Sequence, residues 1–336
     1  MLGVGAACAC QASPVLLKPR AVVAAYGGAR LRFSVVLGMA VLAAASATIL
    51  SGSGVGAQVA AVRASARTLS SVKAAALTEI SGCAVSRQKP GGAQVVWLHN
   101  DSGDSARVFA VDAATGRVWA TYAVTGAAAQ DWEDIAIAGG NLYIGDIGDN
   151  AAARESVVVY RVPEPKLSVK ATTAAQATAA AVALRLRYPD GSHNAEALLV
   201  HPTTGDAYVV TKTEDGHSGV YVLRKASTLL AGEHPLEKVA ELTLDRESLI
   251  FPNQITAGDI SPTGDRIVLR TYQYLYVYRP SGGGSFDTVW TVAPKQVESP
   301  LLLQAEAVCF TPDGRFVLTT QEGLPAPIVQ IDLGGV

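Results

Sequence analysis

Ser81-Gly82-Cys83-Ala84-Val85, Glu133-Asp134-Ile135-Ala136-Ile137, Glu196-Ala197-Leu198-Leu199-Val200, Thr256-Ala257-Gly258-Asp259-Ile260 and Glu306-Ala307-Val308-Cys309-Phe310 are five versions of one short pattern. Each opens an apolar run, and a turn and a second strand-like run follow. Three of the turns have strong local chemistry: His201-Pro202-Thr203-Thr204-Gly205, Ser261-Pro262-Thr263-Gly264 and Thr311-Pro312-Asp313-Gly314. Proline presets its own φ, and glycine accepts the backbone angles that other residues resist. The anchors at positions 81, 133, 196, 256 and 306 are 52, 63, 60 and 50 residues apart. A strand-built repeat of that length is the unit of a β-propeller, whose blades bury their faces only against one another.

Within a repeat the strands can be followed one by one. In the second, 135–137, 142–146, 157–162 and 182–188 are β-branched or aromatic runs bounded by Gly, Pro, Asn or Asp. The third reads as strands over 198–201, 207–211, 220–223 and 239–244, and the fourth over 259–261, 267–271, 275–278 and 288–292. Four strands per unit is the propeller blade. The last repeat ends after its third strand, 328–331, and the segment 68–76 ahead of the first repeat is expected to supply the fourth and close the ring. The expected fold is all-β, a propeller of five four-stranded blades with six as the alternative. The Ala-rich stretch 171–183 is expected to be a loop leading into an outer strand, with at most one short helix. Tyr272, Tyr274, Tyr276 and Tyr278 are expected to pack between blades.

Residues 1–57 differ from the rest. They carry Lys18, Arg20, Arg30 and Arg32 and no Asp or Glu, followed by an apolar run over 33–50 and the small residues Val55-Gly56-Ala57. Basic region, apolar run and small-residue site are the order of a secretory signal, cleaved after Ala57, or of an uncleaved N-terminal anchor. Either reading exports the rest of the chain. The domain plan is therefore 1–57 signal or anchor, 58–77 linker with the ring-closing strand, and 78–336 propeller. Without the first segment, 23 basic residues face 29 acidic ones, a net charge of −6. With no Lys/Arg run in that part, nucleic acid is not an expected partner. A monomer is expected, in contact with a membrane only through an uncleaved N-terminus.

Cys8 and Cys10 fall in the leading segment, which leaves Cys83 and Cys309 in the first and last repeats. Ring closure makes those repeats neighbours, so a disulfide and a pair of buried thiols are both open readings. The two are offset by one position relative to the repeat anchor, and alternate strand positions face opposite sides, which weighs against the bond.

In a propeller, the loops before the first strand and between the second and third strands open on one face around the central channel. Here that face is acidic. It gathers Asp131, Glu133 and Asp134, then His193, Asn194 and Glu196, then Gln304 and Glu306, with Asn100-Asp101-Ser102-Gly103-Asp104 and Asp146-Ile147-Gly148-Asp149-Asn150 beside them. Lys212, Arg270, Gln321 and Glu322 belong to the same face. Crowded carboxylates repel, and a hard cation such as Ca²⁺ offsets that repulsion with carboxylate, carbonyl and amide oxygens. The expected metal ligands are Asp101, Asp104, Glu133, Asp146, Asp149 and Glu306. Glu196, His193 and Glu133 are the candidates for catalysis. Lys212, Arg270, Asn194 and Trp132 are expected to hold a small or anionic ligand. The competing structural readings are that the repeated carboxylates bond neighbouring blades and that Asp146–Asn150 is an ordinary turn.

Three functions fit this face: a divalent-cation site that also takes a small ligand and assists hydrolysis of a phosphate or carboxylic ester, a non-catalytic binding or scaffold propeller at the cell envelope, and a glycosidase with paired carboxylates. No Gly-x-Ser-x-Gly elbow, His-Glu-x-x-His helix or phosphate-binding loop occurs. The Pro-Asp-Gly and Pro-Thr-Gly turns, the Glu-Ala-Leu/Val repeats, and Asp131-Trp132-Glu133-Asp134-Ile135-Ala136 followed by Gly145-Asp146-Ile147-Gly148-Asp149-Asn150 carry a resemblance. Over residues 78–333 the chain resembles bacterial extracytoplasmic propellers of the YVTN/NHL/SdiA-regulated kind. The resemblance implies an exported propeller and no particular reaction. Phytase-like and lactonase-like propellers bind calcium through acidic loops on this face; their ligand motifs are not matched here, so no catalytic role carries over.

Overall fold

Alternating apolar strands separated by tight turns build five sheets, each an antiparallel meander of four strands, in a computed structural model that describes residues 61–244, 253–280, 282 and 285–336. Blade 1 comprises Ile80–Val85, Val95–Asn100, Arg107–Asp112 and Val118–Ala123. Blade 2 comprises Trp132–Ala138, Asn141–Asp146, Val157–Pro163 and Val182–Arg187. Blade 3 comprises Ala195–Val200, Ala207–Thr211, His217–Leu223 and Glu237–Thr243. Blade 4 comprises Ile255–Ile260, Ile267–Thr271, Tyr274–Tyr278 and Lys295–Glu298. Blade 5 takes Ala305–Phe310, Phe316–Gln321 and Ala326–Asp332 from the end of the chain and Ala66–Val72 from before the first repeat. The protein is thus a five-bladed β-propeller. The segment 1–57, read from sequence as a signal or anchor, lies outside the described residues. Among the described residues no helix is long and apolar enough to cross a membrane.

The core is divided as the ring requires. Five apolar clusters are present among the described residues, one in each space between neighbouring blades. One of them joins the first blade to the last, with Cys83, Val85, Leu98 and Phe109 packed on Ala307, Cys309, Leu318 and Ile328. Each blade is buried on both faces, so its inner strands read as nearly continuous apolar runs.

Three details differ from the sequence reading. The fourth strand of blade 4 is Lys295–Glu298, whereas the residues expected to form it lie largely in the 3₁₀ turn Phe286–Thr291. Ser285 accepts the N–H of Asp287 at the start of that turn, and Val289 and Trp290 fill the space between blades 3 and 4. Burial there outweighs the β-propensity of Thr and Val. The Ala-rich stretch contains Ala175–Ala177, a fifth strand added in parallel to the outside of blade 1. Gly232–Pro235 and Val62–Arg63 extend blades 2 and 4 in the same way. Tyr276 and Tyr278 pack between blades 3 and 4 as expected, but Tyr272 does not.

The innermost strand of each blade pairs on one side only, which leaves backbone N–H groups pointing at the axis. Two buried carboxylates answer them. Asp134 accepts from Ile135 N (2.8 Å) in its own strand, Leu198 N (2.9 Å) in blade 3 and Gly258 N (3.2 Å) in blade 4. Asp259 accepts from Ile260 N (2.8 Å) and from Phe310 N (2.8 Å) in blade 5. Burial pushes Asp134 well above the usual carboxylate range, and the three N–H groups pull it back only in part. Two hydroxyls add to the ring: Ser81 donates to Glu133 O (2.6 Å) and Thr256 to Ala305 O (2.8 Å), each reaching the next blade.

Asp134→Ala leaves Leu198 N–H and Gly258 N–H buried without an acceptor. A cost of about 2–6 kcal/mol is expected, at roughly 1–3 kcal/mol for each of the two stranded groups, read as a lower urea midpoint. Asp134→Asn, which keeps an acceptor oxygen, should recover part of the loss.

Candidate acidic site at the channel mouth

The same irregularity recurs in all five inner strands. The ladder between first and second strands slips by one residue between Ile80 and Gly82, Trp132 and Asp134, Ala195 and Ala197, Ile255 and Ala257, and Ala305 and Ala307. The extra residue is Ser81, Glu133, Glu196, Thr256 or Glu306. A bulge takes its residue out of the ladder and re-aims the side chain. The recurrent anchor of the sequence is therefore a recurrent bulge, and its side chains converge. Glu133 responds electrostatically to both Glu196 and Glu306, and Ser81 Oγ lies 3.4 Å from Glu133 Oε2.

The site has two halves. On one side a chain of neutralised groups runs across blades 3, 4 and 5. Lys212 Nζ donates to Glu196 Oε1 (2.6 Å) and to the Tyr272 hydroxyl (3.0 Å), and that hydroxyl donates to Glu306 Oε1 (3.2 Å). Glu306 is hydrogen-bonded to Glu322, which also accepts from Gln304 Nε2 (2.7 Å). Burial disfavours the Lys212 ammonium, but Glu196, Tyr272 and Glu306 outweigh it and raise its pKa overall. Burial, followed by repulsion from Glu306, lifts Glu322 to about 10.

On the other side, Asp101, Asp131 and Glu133 each present a carboxylate oxygen, and these oxygens all lie within 4.8 Å of one another. Among the described residues, no Lys or Arg forms an ion pair with any of the three. Arg154 attracts Asp131 but is itself bonded to Asp146 (2.8 Å). Gly148 donates its N–H to Asp131 O (3.1 Å), and a Cβ at this position would collide with the carboxylates of Glu133 and Asp131. That close approach explains a glycine in Gly145-Asp146-Ile147-Gly148-Asp149-Asn150. Burial pushes Glu133 well up, and Glu196, Asp101, Asp131 and Glu306 push the same way. Asp101 rises to about 6, mainly through burial, against the pull of Ser102 N–H.

Of the residues singled out in sequence, Asp101, Glu133, Glu196, Lys212 and Glu306 meet here. The others have partners elsewhere. Asp104 is bound by Arg107 (2.8 Å) and Asn100 (2.8 Å). Asp146 pairs with Arg154 and accepts from Gln130 N and Asp131 N. Asp149 accepts from Arg154 N, and its own N–H goes to Asn194 Oδ1 (2.7 Å). His193 bonds Asp190 (2.9 Å) and Tyr221 (3.0 Å), with its ring against Tyr188. Trp132 is 1% exposed, donates to Ala128 O and meets His99 edge-on. Arg270 is 0% exposed and donates to Ser299 Oγ (2.9 Å), so its guanidinium belongs to the interior. Asp131, Tyr272 and Glu322 complete the site and were not among the chosen ligands. Asp131 and Glu322 lie in loops the repeat does place on this face. Tyr272 lies in the bend between Ile267–Thr271 and Tyr274–Tyr278, and its spacing from Tyr274, Tyr276 and Tyr278 makes it read as part of the strand that follows.

No family model and no curated protein matches the chain. Among solved structures it is similar to the WD40 repeats of RRP9, with 11% sequence identity and a TM-score of 0.39, over 80% of this chain and 97% of that one. That likeness carries no argument about the site.

The raised carboxyls set a pH dependence. A folded state that holds protons more tightly than the unfolded chain loses stability as pH rises between the two pKa values. That window runs from 3.8 to about 6 for Asp101 and from 4.5 to about 10 for Glu322. With chelator present, the melting temperature of the protein should therefore fall from pH 5 to pH 9. Glu322→Gln should flatten the upper part of the fall.

Proposed function

We propose that this protein is an exported binding propeller whose channel mouth holds Ca²⁺ on Asp101, Asp131 and Glu133, with an anionic or polar small ligand completing the coordination. The observation that carries the reading is the contrast between the two halves of the site. Glu196 has its own ammonium partner, while Asp101, Asp131 and Glu133 form no ion pair among the described residues. Crowding of that kind favours a divalent cation, and an all-oxygen donor set suits Ca²⁺ over the softer metals that prefer Cys and His. The long basic–apolar–small leader supports export, and calcium is abundant outside cells.

Binding fits the geometry better than hydrolysis. The hydrolase reading relies on Lys212 and Arg270 to orient the anion, and Lys212 is already held between Glu196 and Tyr272 while Arg270 is interior. A hydrolase would have to use the cation for both polarising the ester and orienting it.

Full-length protein stripped with chelator and titrated with Ca²⁺ tests the reading. A cation at 100 times its Kd adds about 2.7 kcal/mol, which is roughly 5–10 °C in Tm for a domain of this size. Glu133→Gln should remove most of that gain and leave the fold intact. A melting temperature indifferent to millimolar Ca²⁺ and to chelator would end the cation reading. Turnover of p-nitrophenyl phosphate or a p-nitrophenyl ester that disappears with Glu133→Gln would move the protein to the hydrolase class.

A further inference from the structure

The innermost strands of blades 1 and 5 lie side by side, and they bring Cys83 Sγ to 3.0 Å from Cys309 Sγ across a sequence separation of 226 residues. The one-residue offset that weighed against a bond is what permits it. Neighbouring blades of a ring present opposite faces to each other, so alternate strand positions, not equivalent ones, meet in the space between them. The two thiols are 2% and 1% exposed, within the apolar cluster that joins first and last blades. Their separation is already below the roughly 3.5–4.0 Å at which non-bonded heavy atoms rest. A bond of about 2.05 Å needs the sulfurs to close by only about 1 Å.

We infer that Cys83 and Cys309 form a structural disulfide that locks the propeller ring shut at its inner edge. The strand Ala66–Val72 closes blade 5 at its outer edge by hydrogen bonds, and the disulfide ties the inner edge to blade 1. The bond forms by two thiol–disulfide exchanges with an external disulfide such as oxidised glutathione. One cysteine thiolate attacks that disulfide and releases the first thiol. The second cysteine thiolate then attacks the protein sulfur of the mixed disulfide and releases the other. The external disulfide is reduced to two thiols, which take up the two protons lost by the cysteines. The exchange belongs to folding, before blade 5 docks on blade 1. In the finished ring both sulfurs are sealed from solvent, and burial pushes both thiols above their usual pKa, which makes them slow to react. The inference does not depend on the cation site.

The test uses the full chain, unfolded with reductant and refolded with mixed oxidised and reduced glutathione. The native fraction is isolated by gel filtration and its free thiols are blocked under denaturing conditions. Tryptic peptides 74–87 and 296–315 should appear joined and should separate on reduction. Closing so long a loop should raise the melting temperature by roughly 10 °C over the reduced protein. The bond should resist mild reductant in native buffer and yield to it in denaturant. Cys83→Ala and Cys309→Ala should each melt at one temperature with or without reductant. A native fraction in which both peptides carry the blocking group or glutathione, or are joined to Cys8 or Cys10, overturns the inference. This readout comes from the wild-type chain and does not depend on whether either variant folds.

Discussion

Each blade of this protein ends at the axis in a strand with one unpaired edge, and the rest of the structure follows from how that edge is satisfied. A buried N–H without an acceptor costs more than most single contacts contribute. Here Asp134 reaches across three blades and Asp259 across two, and Ser81 and Thr256 link the inner strands of blades 1 and 4 to the next blade. The narrow five-fold ring makes this workable, since groups from non-adjacent blades come within hydrogen-bond reach of one carboxylate.

The bulges belong to the same geometry. Taking one residue out of the ladder in every inner strand turns its side chain into the mouth of the channel, and three of the five are glutamates. One arc of the mouth is balanced internally through Lys212 and Tyr272. The other arc is left with Asp101, Asp131 and Glu133. The acidic ring is thus partly architecture and partly a cluster of carboxylates with no ion-pair partner among the described residues, and the second part is where we propose that a cation binds.

Closure of the ring depends on the two ends of the chain. Blade 5 is finished by residues from before blade 1, so the ring does not close until both ends of the propeller sequence are present. Contacts of that sequence separation are paid for in chain entropy before they contribute anything, which gives a covalent tie between the first and last blades its physical sense.

Much of this architecture was legible in the residues alone. The repeat, the turns with Pro and Gly and the alternation of strand residues are local features, each set by the chemistry of a few neighbouring positions, and they favoured five blades with six left open. The convergence of Glu133, Glu196 and Glu306 followed from the repeat and the topology of a ring. Tertiary structure decided the rest. A bulge, not strand alternation, aims the anchor side chains. Asp146, Asp149 and Asp104 find basic or backbone partners nearby, while Asp131 forms no ion pair among the described residues. Trp290 occupies a gap between blades where a strand was expected, Arg270 turns inward, and Cys83 meets Cys309 because facing sheets are opposed. Those outcomes depend on which surfaces meet when a long chain closes on itself, and no window of sequence contains both sides of such a contact.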